Sequence, residues 1–396
     1  MSGVGATAII VNIRAGSFYE NEKNWGASHL LEHLTFDATK SFSKEIDIEL
    51  FKENYCIHAD AVTSGEYIEY WFKFPSNSAK EALFLLEEII YNPALKEKDF
   101  VREKKIVNQE YIDRFSTPHG RFMRSIHENI FGINHPYSRY PIGTPKTVDN
   151  LKIDDLEKIH KKHFTNENTT VVVAGKIIPD LPKKLIQILK KRNIGKKELI
   201  SPPPITSSGD LFWHKEDVDQ FVISLSWITN KRFNLREKML LNVANYIIGG
   251  SARSLLFKKL RMEEGLVYST GSEKSFYPTC VWFEAYSYTR PKFSQRVYKI
   301  MLEIIKEFSD KKINNQDFKR AINYLNKSTL LRYDSVNGIA SELSEMLFYE
   351  QRIILPQELI KMTNSFTEEE VRMFFKKIIS RGYFYPSVMS RNRPCL

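Results

Sequence analysis

Apolar residues recur along this chain in two rhythms, one of strands and one of helices. Ala6 to Ile13 is an almost unbroken apolar run, the signature of a buried strand. Cys56–Val62 and Tyr67–Phe74 read as the two strands of a hairpin, bridged by the turn residues Thr63-Ser64-Gly65-Glu66. Helical spacing takes over at about 77–91, 96–114, 119–131, 153–163 and 179–192. In the second of these, Phe100, Ile106, Val107 and Tyr111 form the apolar stripe, with Lys and Glu between them. Strands interleaved with paired helices predict an α+β architecture, an antiparallel-rich sheet with helices packed on one face.

The pattern then repeats. Asp154-Asp155-Leu156, Ile159, Lys161-Lys162 and the strand Thr169–Ala174 align with Glu369-Glu370-Val371, Phe374, Lys376-Lys377 and Phe384–Met389, all at one offset of 215 residues (376 − 161). Thr367 and Glu370 form a capping box ahead of the second copy of that helix. Between the copies, Ser201-Pro202-Pro203-Pro204 through Ser207-Ser208-Gly209 has linker composition. Two homologous domains are therefore expected, 1–198 and 211–396, joined by a linker at 199–210.

Composition narrows the class. A chain of 396 residues exceeds one ordinary core and fits two. No apolar stretch approaches 18 residues, so a membrane span is not expected. The net charge of +10 is spread over 58 basic and 48 acidic residues, which reads as a solvated surface rather than a nucleic-acid face. Cys56, Cys280 and Cys395 are odd in number and far apart, with no Cys-x-x-Cys; a disulfide framework is not expected and a reducing compartment is the default.

Candidate chemistry is concentrated in His29-Leu30-Leu31-Glu32-His33. On a helix the two histidines lie about 40° apart and Glu32 about 60° to the other side of His29, so all three share one face. Leu30, Leu31 and Leu34 take the opposite face and anchor it. Two imidazoles at i and i+4 are a pair of zinc ligands, and a nearby carboxylate that is not a ligand suits a general base. Taken alone, the pentapeptide also fits a helix with two surface histidines. Glu110 and Glu103 lie seven residues apart in the helix 96–114, within the stripe that carries Ile106 and Val107. A carboxylate on an apolar stripe calls for a cation or a ligand histidine as partner, although Glu103 fits an exposed charged face equally well.

These features resemble the pitrilysin and insulinase family of zinc metallopeptidases, most of all its short-chain branch with mitochondrial processing peptidase. The likeness runs through Arg14-Ala15-Gly16-Ser17, His135-Pro136-Tyr137, Gly143-Thr144, Gly249-Gly250, Leu260-Arg261 and Glu264-Gly265-Leu266-Val267-Tyr268. It implies one Zn2+ per chain, held by His29, His33 and Glu110, with Glu32 as general base and Glu103 supporting a ligand histidine. Arg261 and Tyr268 match the family's pair near the substrate carbonyl. The resemblance further implies an endopeptidase that cuts peptides or unfolded segments in an enclosed chamber. Its substrate would lie along the strand His58, Ala59, Asp60, Ala61 and Val62, where Asp60 replaces the family's usual Asn.

Applying the 215 offset puts Ala244 and Ile248 where the ligand histidines would stand, so only the first copy is expected to bind metal. Both halves of the chemistry are in one chain, so self-association suffices, and the resemblance implies a homodimer arranged as a clamshell that shares its sites; no nucleic-acid or membrane partner is expected. A non-catalytic core subunit and a partner-dependent presequence-processing subunit are the alternatives. A cytoplasmic location is expected, or an organelle matrix or periplasm if an N-terminal targeting segment is missing. His160 and His163 are expected on a solvated helix face.

Overall fold

A computed structural model describes residues 5–394. In chain order the first half forms β1 (Ala6–Ile13), α1 (Ala27–Asp37), α2 (Glu45–Tyr55), β2 (His58–Thr63), β3 (Ile68–Pro75), α3 (Ala79–Tyr91), α4 (Glu97–Phe115), α5 (Pro118–Phe131), α6 (Pro145–Asn150), α7 (Ile153–His163), β4 (Thr169–Gly175) and α8 (Leu181–Lys190). The second half forms β5 (Phe212–Lys215), β6 (Phe221–Thr229), α9 (Leu235–Ile248), β7 (Val267–Phe276), β8 (Val281–Thr289), α10 (Ser294–Asp310), α11 (Asn315–Leu331), α12 (Val336–Glu350), α13 (Pro356–Asn364), α14 (Glu368–Arg381) and β9 (Tyr383–Ser390).

Two compact units result. The first comprises residues up to Arg114, Asn134–Ile200 and Arg332–Ile354. Its sheet is antiparallel throughout, in the order β2-β3-β1-β4. Strand alternation sends Ile9, Val11, Ile13, Ile68, Tyr70, Phe72 and Phe74 to one buried face, where α1 and α3 pack. The apolar run of β1 is unbroken because its other face is covered too. There Ala8, Ile10 and Ala174 meet Val336 and Ala340 of α12. Polar contacts also hold that helix: Asn12 Nδ2 donates to Ser344 Oγ (2.7 Å), Arg14 Nη2 donates to the carbonyl of Phe348 (3.0 Å) while stacking on its ring, and Tyr349 donates to Glu66 (3.2 Å).

The second unit comprises Phe115–Ile133, Ser201–Leu331 and the residues from Leu355 onward. Its sheet runs β5-β9-β6-β8-β7, antiparallel except for the β5–β9 pair. One core gathers Leu225, Phe283 and Ala285 from the sheet with Leu241, Ile247, Met301 and Phe375 from α9, α10 and α14. Helix α5 lies against β5 and β9, its Arg121 forking onto both oxygens of Glu216 (3.0 and 2.7 Å) and its His127 ring 4.8 Å from that of Trp282.

The 215-residue offset holds far beyond the helix and strand that first showed it. It carries β1 onto β6, β3 onto β8, α3 onto α10, α4 onto α11, α7 onto α14 and β4 onto β9. It also carries α5 onto α12, and these are the two helices that leave their own half of the sequence: α5 belongs to the second unit and α12 to the first. The stretch from Ser201 to Asp210 is irregular coil.

Three expectations are corrected or extended. Ile106 is 41% exposed, so the inward stripe of α4 is Phe100, Glu103 and Val107, with Glu110 at its end. His163 is buried, its Nδ1 2.7 Å from the Arg14 carbonyl, and His160 Nε2 lies 2.9 Å from the Ile90 carbonyl. Neither decorates a solvated face, because both tie α7 to neighbouring backbone that would otherwise lack a partner. Cys56 and Cys280 are free thiols, the first exposed and the second buried; Cys395 lies outside the described residues. No helix among the described residues is long and apolar enough to cross a membrane.

Candidate metal centre and substrate surfaces

The helix carrying the motif begins at an unusual cap. Gly26 sits at φ +98°, and a Cβ there would come 3.2 Å from the Cα of Gly143. The first-turn N–H groups of Gly26 and Ser28 donate to the two oxygens of Glu20 (2.8 and 2.6 Å). Glu20 thus acts as a remote cap for donors that the helix itself leaves unpaired. Nothing in its local sequence marks it, since the usual cap stands directly at the helix start. Gly143-Thr144 matters for the same reason: it brings α6 against that helix end.

From this anchored helix, Leu30, Leu31 and Leu34 point into the core and are fully buried. His29 and His33 point the other way, their ring centroids 4.7 Å apart. Helix α4 brings Glu110 to them: its Oε2 is 3.8 Å from His29 Nε2 and 3.8 Å from His33 Nε2. Those separations are too long for hydrogen bonds. They are close to the spacing of neighbouring donors around a tetrahedral zinc, roughly 3.4 Å for ligands at about 2.0–2.1 Å from the ion. One donor atom from each of His29, His33 and Glu110 lies within 4.8 Å of the others.

The surroundings fit a cation as well. Burial, with the charges of His33 and Arg114, drops the His29 pKa to about 3, so its imidazole is neutral and able to ligate. Its Nδ1 is buried with no hydrogen-bond partner in the protein, while its Nε2 is the nitrogen that faces Glu110. His33 Nδ1 donates to Glu103 Oε2 (3.0 Å), which fixes the tautomer and turns Nε2 toward Glu110. Burial would lower the His33 pKa, but Glu103, Glu32 and Glu110 outweigh it and hold it above the usual histidine value. Burial would raise Glu103, yet hydrogen bonds from His33 and Arg102 keep it below the usual carboxylate range. Arg102 completes the support, bonding Glu103 Oε1 through Nε (3.0 Å) and reaching Asp37 at the far end of α1.

Glu32 stands beside this trio without belonging to it. Thr63 at the end of β2 donates to its Oε2 (2.9 Å). Burial pushes its pKa up; His33 and Thr63 pull it down, and Asp60 and Glu110 push it up again. Thr63 was not singled out from sequence. Its position directly after the expected substrate strand, His58 to Val62, is the signal the sequence offers.

That strand is an edge strand, because β2 pairs only with β3. His58, Asp60 and Val62 are exposed while Ala59 is buried, as alternation requires. Asp60 Oδ1 accepts the N–H of Ala61 (2.8 Å), covering one main-chain donor of this edge. Arg261 and Tyr268 belong to the second unit. Arg261 projects from a π-helical turn, Phe257–Glu263, and donates to the Val267 carbonyl (2.9 Å). Tyr268 is the extra residue of a β-bulge between Val267 and Ser269, is 75% exposed, and has its ring 5.9 Å from the Arg261 guanidinium. π-Turns and bulges are devices that re-aim single side chains.

Comparison with known proteins gives the family. Residues 4–140 match the model of Insulinase (Peptidase family M16), and residues 150–325 match that of the Peptidase M16 inactive domain. The chain belongs to the M16 peptidase family. Its relatives include an uncharacterized zinc protease of Rickettsia bellii, 24% identical over 381 residues that span 96% of this chain and 91% of the relative. They also include the mitochondrial-processing peptidase subunit beta of Bos taurus, 25% identical over 371 residues, 90% of this chain and 74% of the relative. In fold, the M16 chain is similar to a protease from Helicobacter pylori (TM-score 0.86, 17% identity, 98% and 94% of the two chains covered). It is also similar to a peptidase M16 inactive domain from Pseudomonas fluorescens (TM-score 0.87, 16% identity, 99% and 95% covered). Within this chain, the segment matched by the model described as inactive contains α9, where Ala244 and Ile248 replace the histidines.

Proposed function

We propose that this M16 chain is a zinc endopeptidase acting on peptides or unfolded segments, with Glu32 as its general base. The observation that carries the reading is the convergence of His29, His33 and Glu110 beside a half-buried carboxylate that is not one of them. A zinc ion held by those three residues would supply Lewis acidity and make water a usable nucleophile near neutral pH. Glu32, made more basic by burial and aimed by Thr63, takes the proton of the attacking water and passes it to the departing amine. Glu103 holds His33 in the ligating tautomer throughout. The peptide adds to the edge of β2 by main-chain hydrogen bonds, which tolerate many sequences. Arg261 and Tyr268 donate to the oxyanion as the scissile carbonyl is attacked. A homodimer, in which the Arg/Tyr pair of one copy serves the metal centre of the other, is part of the proposal.

The test is metal analysis alongside cleavage of a quenched peptide library by wild type and Glu32→Gln. Zinc retained and cleavage lost in the variant is the expected result. Cleavage surviving in Glu32→Gln, or a metal-free wild type that cannot be reconstituted, contradicts the proposal.

A further inference from the structure

Around the Arg/Tyr pair the second unit forms a cavity of about 900 Å³, at the upper end of the ~300–1,000 Å³ typical of ligand clefts. Its cations are Arg261, Arg290 and Lys292, and its aromatic walls are Tyr268, Tyr288 and Phe293. The carboxylates nearby are taken elsewhere: Glu264 pairs with Arg296 and Lys259, and Asp219, the cavity's own acid, pairs with Arg391 (3.2 Å). Arg261 donates only to a carbonyl, and Lys292 lies over the Phe293 ring at 4.8 Å. Among the described residues, no carboxylate lies within ion-pair distance of Arg261, Arg290 or Lys292. Three cations thus line one cleft with a single acid, Asp219, which pairs with Arg391 rather than with any of them.

We infer that this cavity is a carboxylate subsite, which selects peptides carrying an acidic side chain or a free C-terminal carboxylate beyond the bond to be cut. A guanidinium offers paired donors that match a carboxylate, and the aromatic walls accept the adjoining side chains. All three cations are exposed, so each pair contributes little and the set predicts a preference on the order of tenfold, weakened by salt. The inference rests on the proposal that Arg261 and Tyr268 face the substrate, and its test therefore avoids turnover.

Equilibrium binding to the Glu32→Gln protein is measured by fluorescence anisotropy with three peptides sharing one core: one ending in Glu-Glu amide, one in Gln-Gln free acid and one in Gln-Gln amide. The subsite predicts that one or both carboxylate-bearing peptides bind about tenfold more tightly than the third, and which of them does so identifies the source of the carboxylate. Substituting Arg290→Gln with Lys292→Gln removes that preference. Arg290→Glu turns it toward a Lys-Lys amide peptide, a result that only a folded protein can give. Equal binding of all three peptides by the unsubstituted cavity, or a preference that survives both sets of substitutions, overturns the inference. A protein that binds with the expected preference yet cleaves nothing with Glu32 restored would sink the catalytic proposal and leave the subsite standing.

Discussion

Helices α1 and α9 hold corresponding places behind two sheets built in the same order apart from the added β5, yet they present opposite surfaces at the same positions. His29, Glu32 and His33 become Ala244, Ile247 and Ile248, each fully buried in the core of the second unit. On the neighbouring helix, Glu103 and Glu110 of α4 become Phe318 and Leu325 of α11, both packed on that core. Five polar residues in one copy thus answer to five apolar ones in the other. Unpaired buried carboxylates and imidazoles are costly, so a packed helix keeps them only where they satisfy one another and a shared ligand. Where that ligand site is absent, the same backbone is more stable with apolar side chains. The fold is common to both copies; among the described residues, the candidate metal site is confined to the first.

The largest effects are expected from separating the proposed metal half of the site from its Arg/Tyr half. Glu32→Gln and Arg261→Ala should each lower peptide cleavage at least about 100-fold. If a homodimer shares its sites, mixing the two inactive proteins restores on the order of a quarter of wild-type activity, because half the dimers carry one intact site. No recovery after subunit exchange has been verified by labelled chains contradicts the shared site.

Exchanging polarity at equivalent positions sharpens the contrast in stability. Ile247→Glu places a carboxylate in a core with no partner and should cost about 3 kcal/mol or more in denaturant unfolding. Glu32→Gln, its counterpart, should cost under about 1 kcal/mol or stabilise, since it removes a charge from a buried place. Similar losses from the two would show that the helices are not energetically opposed.

A carboxylate pair on the sheets extends this argument to pH. Glu69 on β3 corresponds to Glu284 on β8, and burial raises both pKa values. Glu284 is the extreme case, pushed up to about 7 despite a hydrogen bond from Ser224. The folded protein therefore holds a proton that the unfolded chain releases at its ordinary value of 4.5. Stability from this group is complete below pH 4.5 and is lost as pH rises through 7, by roughly 3 kcal/mol in all. Unfolding of Glu284→Gln should show that slope flattened, with a gain near pH 8. An unchanged slope would place the titration elsewhere.

A smaller effect is expected from the residue that supports the ligand. Glu103→Gln should weaken zinc binding about 10–100-fold without abolishing it. In the metal-free protein His33 is held above its usual pKa, so zinc must displace a proton; apparent affinity falls with pH by up to about tenfold per unit below that pKa. Competition with a zinc chelator across pH measures both, and a flat profile would mean that His33 is not a ligand.

Much of this was legible from sequence because strong local signals act within one element. Helical spacing placed His29, Glu32 and His33 on one face, and Leu30, Leu31 and Leu34 are buried opposite them as expected. The hairpin of β2 and β3 followed from its turn residues. What escaped depends on contacts far apart in the chain. Glu20 caps α1 from outside the helix, Thr63 reaches Glu32 from a strand end, and α12 covers β1 from more than 300 residues away. His160 and His163 looked solvated because their carbonyl partners, Ile90 and Arg14, lie 70 and 149 residues distant. Ile106 carried no sign that its side of α4 faces outward, since the competing stripe included two glutamates.

One metal centre per chain, held by the first copy alone, is the central proposal. X-ray absorption at the zinc edge of the purified protein, quantified per chain, tests it most directly. Zinc bound once per chain by two imidazoles and a carboxylate, with that signal lost in His33→Ala and unchanged in Ala244→Ser, is the predicted result. Sulfur ligation, zinc retained in His33→Ala, or more than one tightly held ion would contradict it.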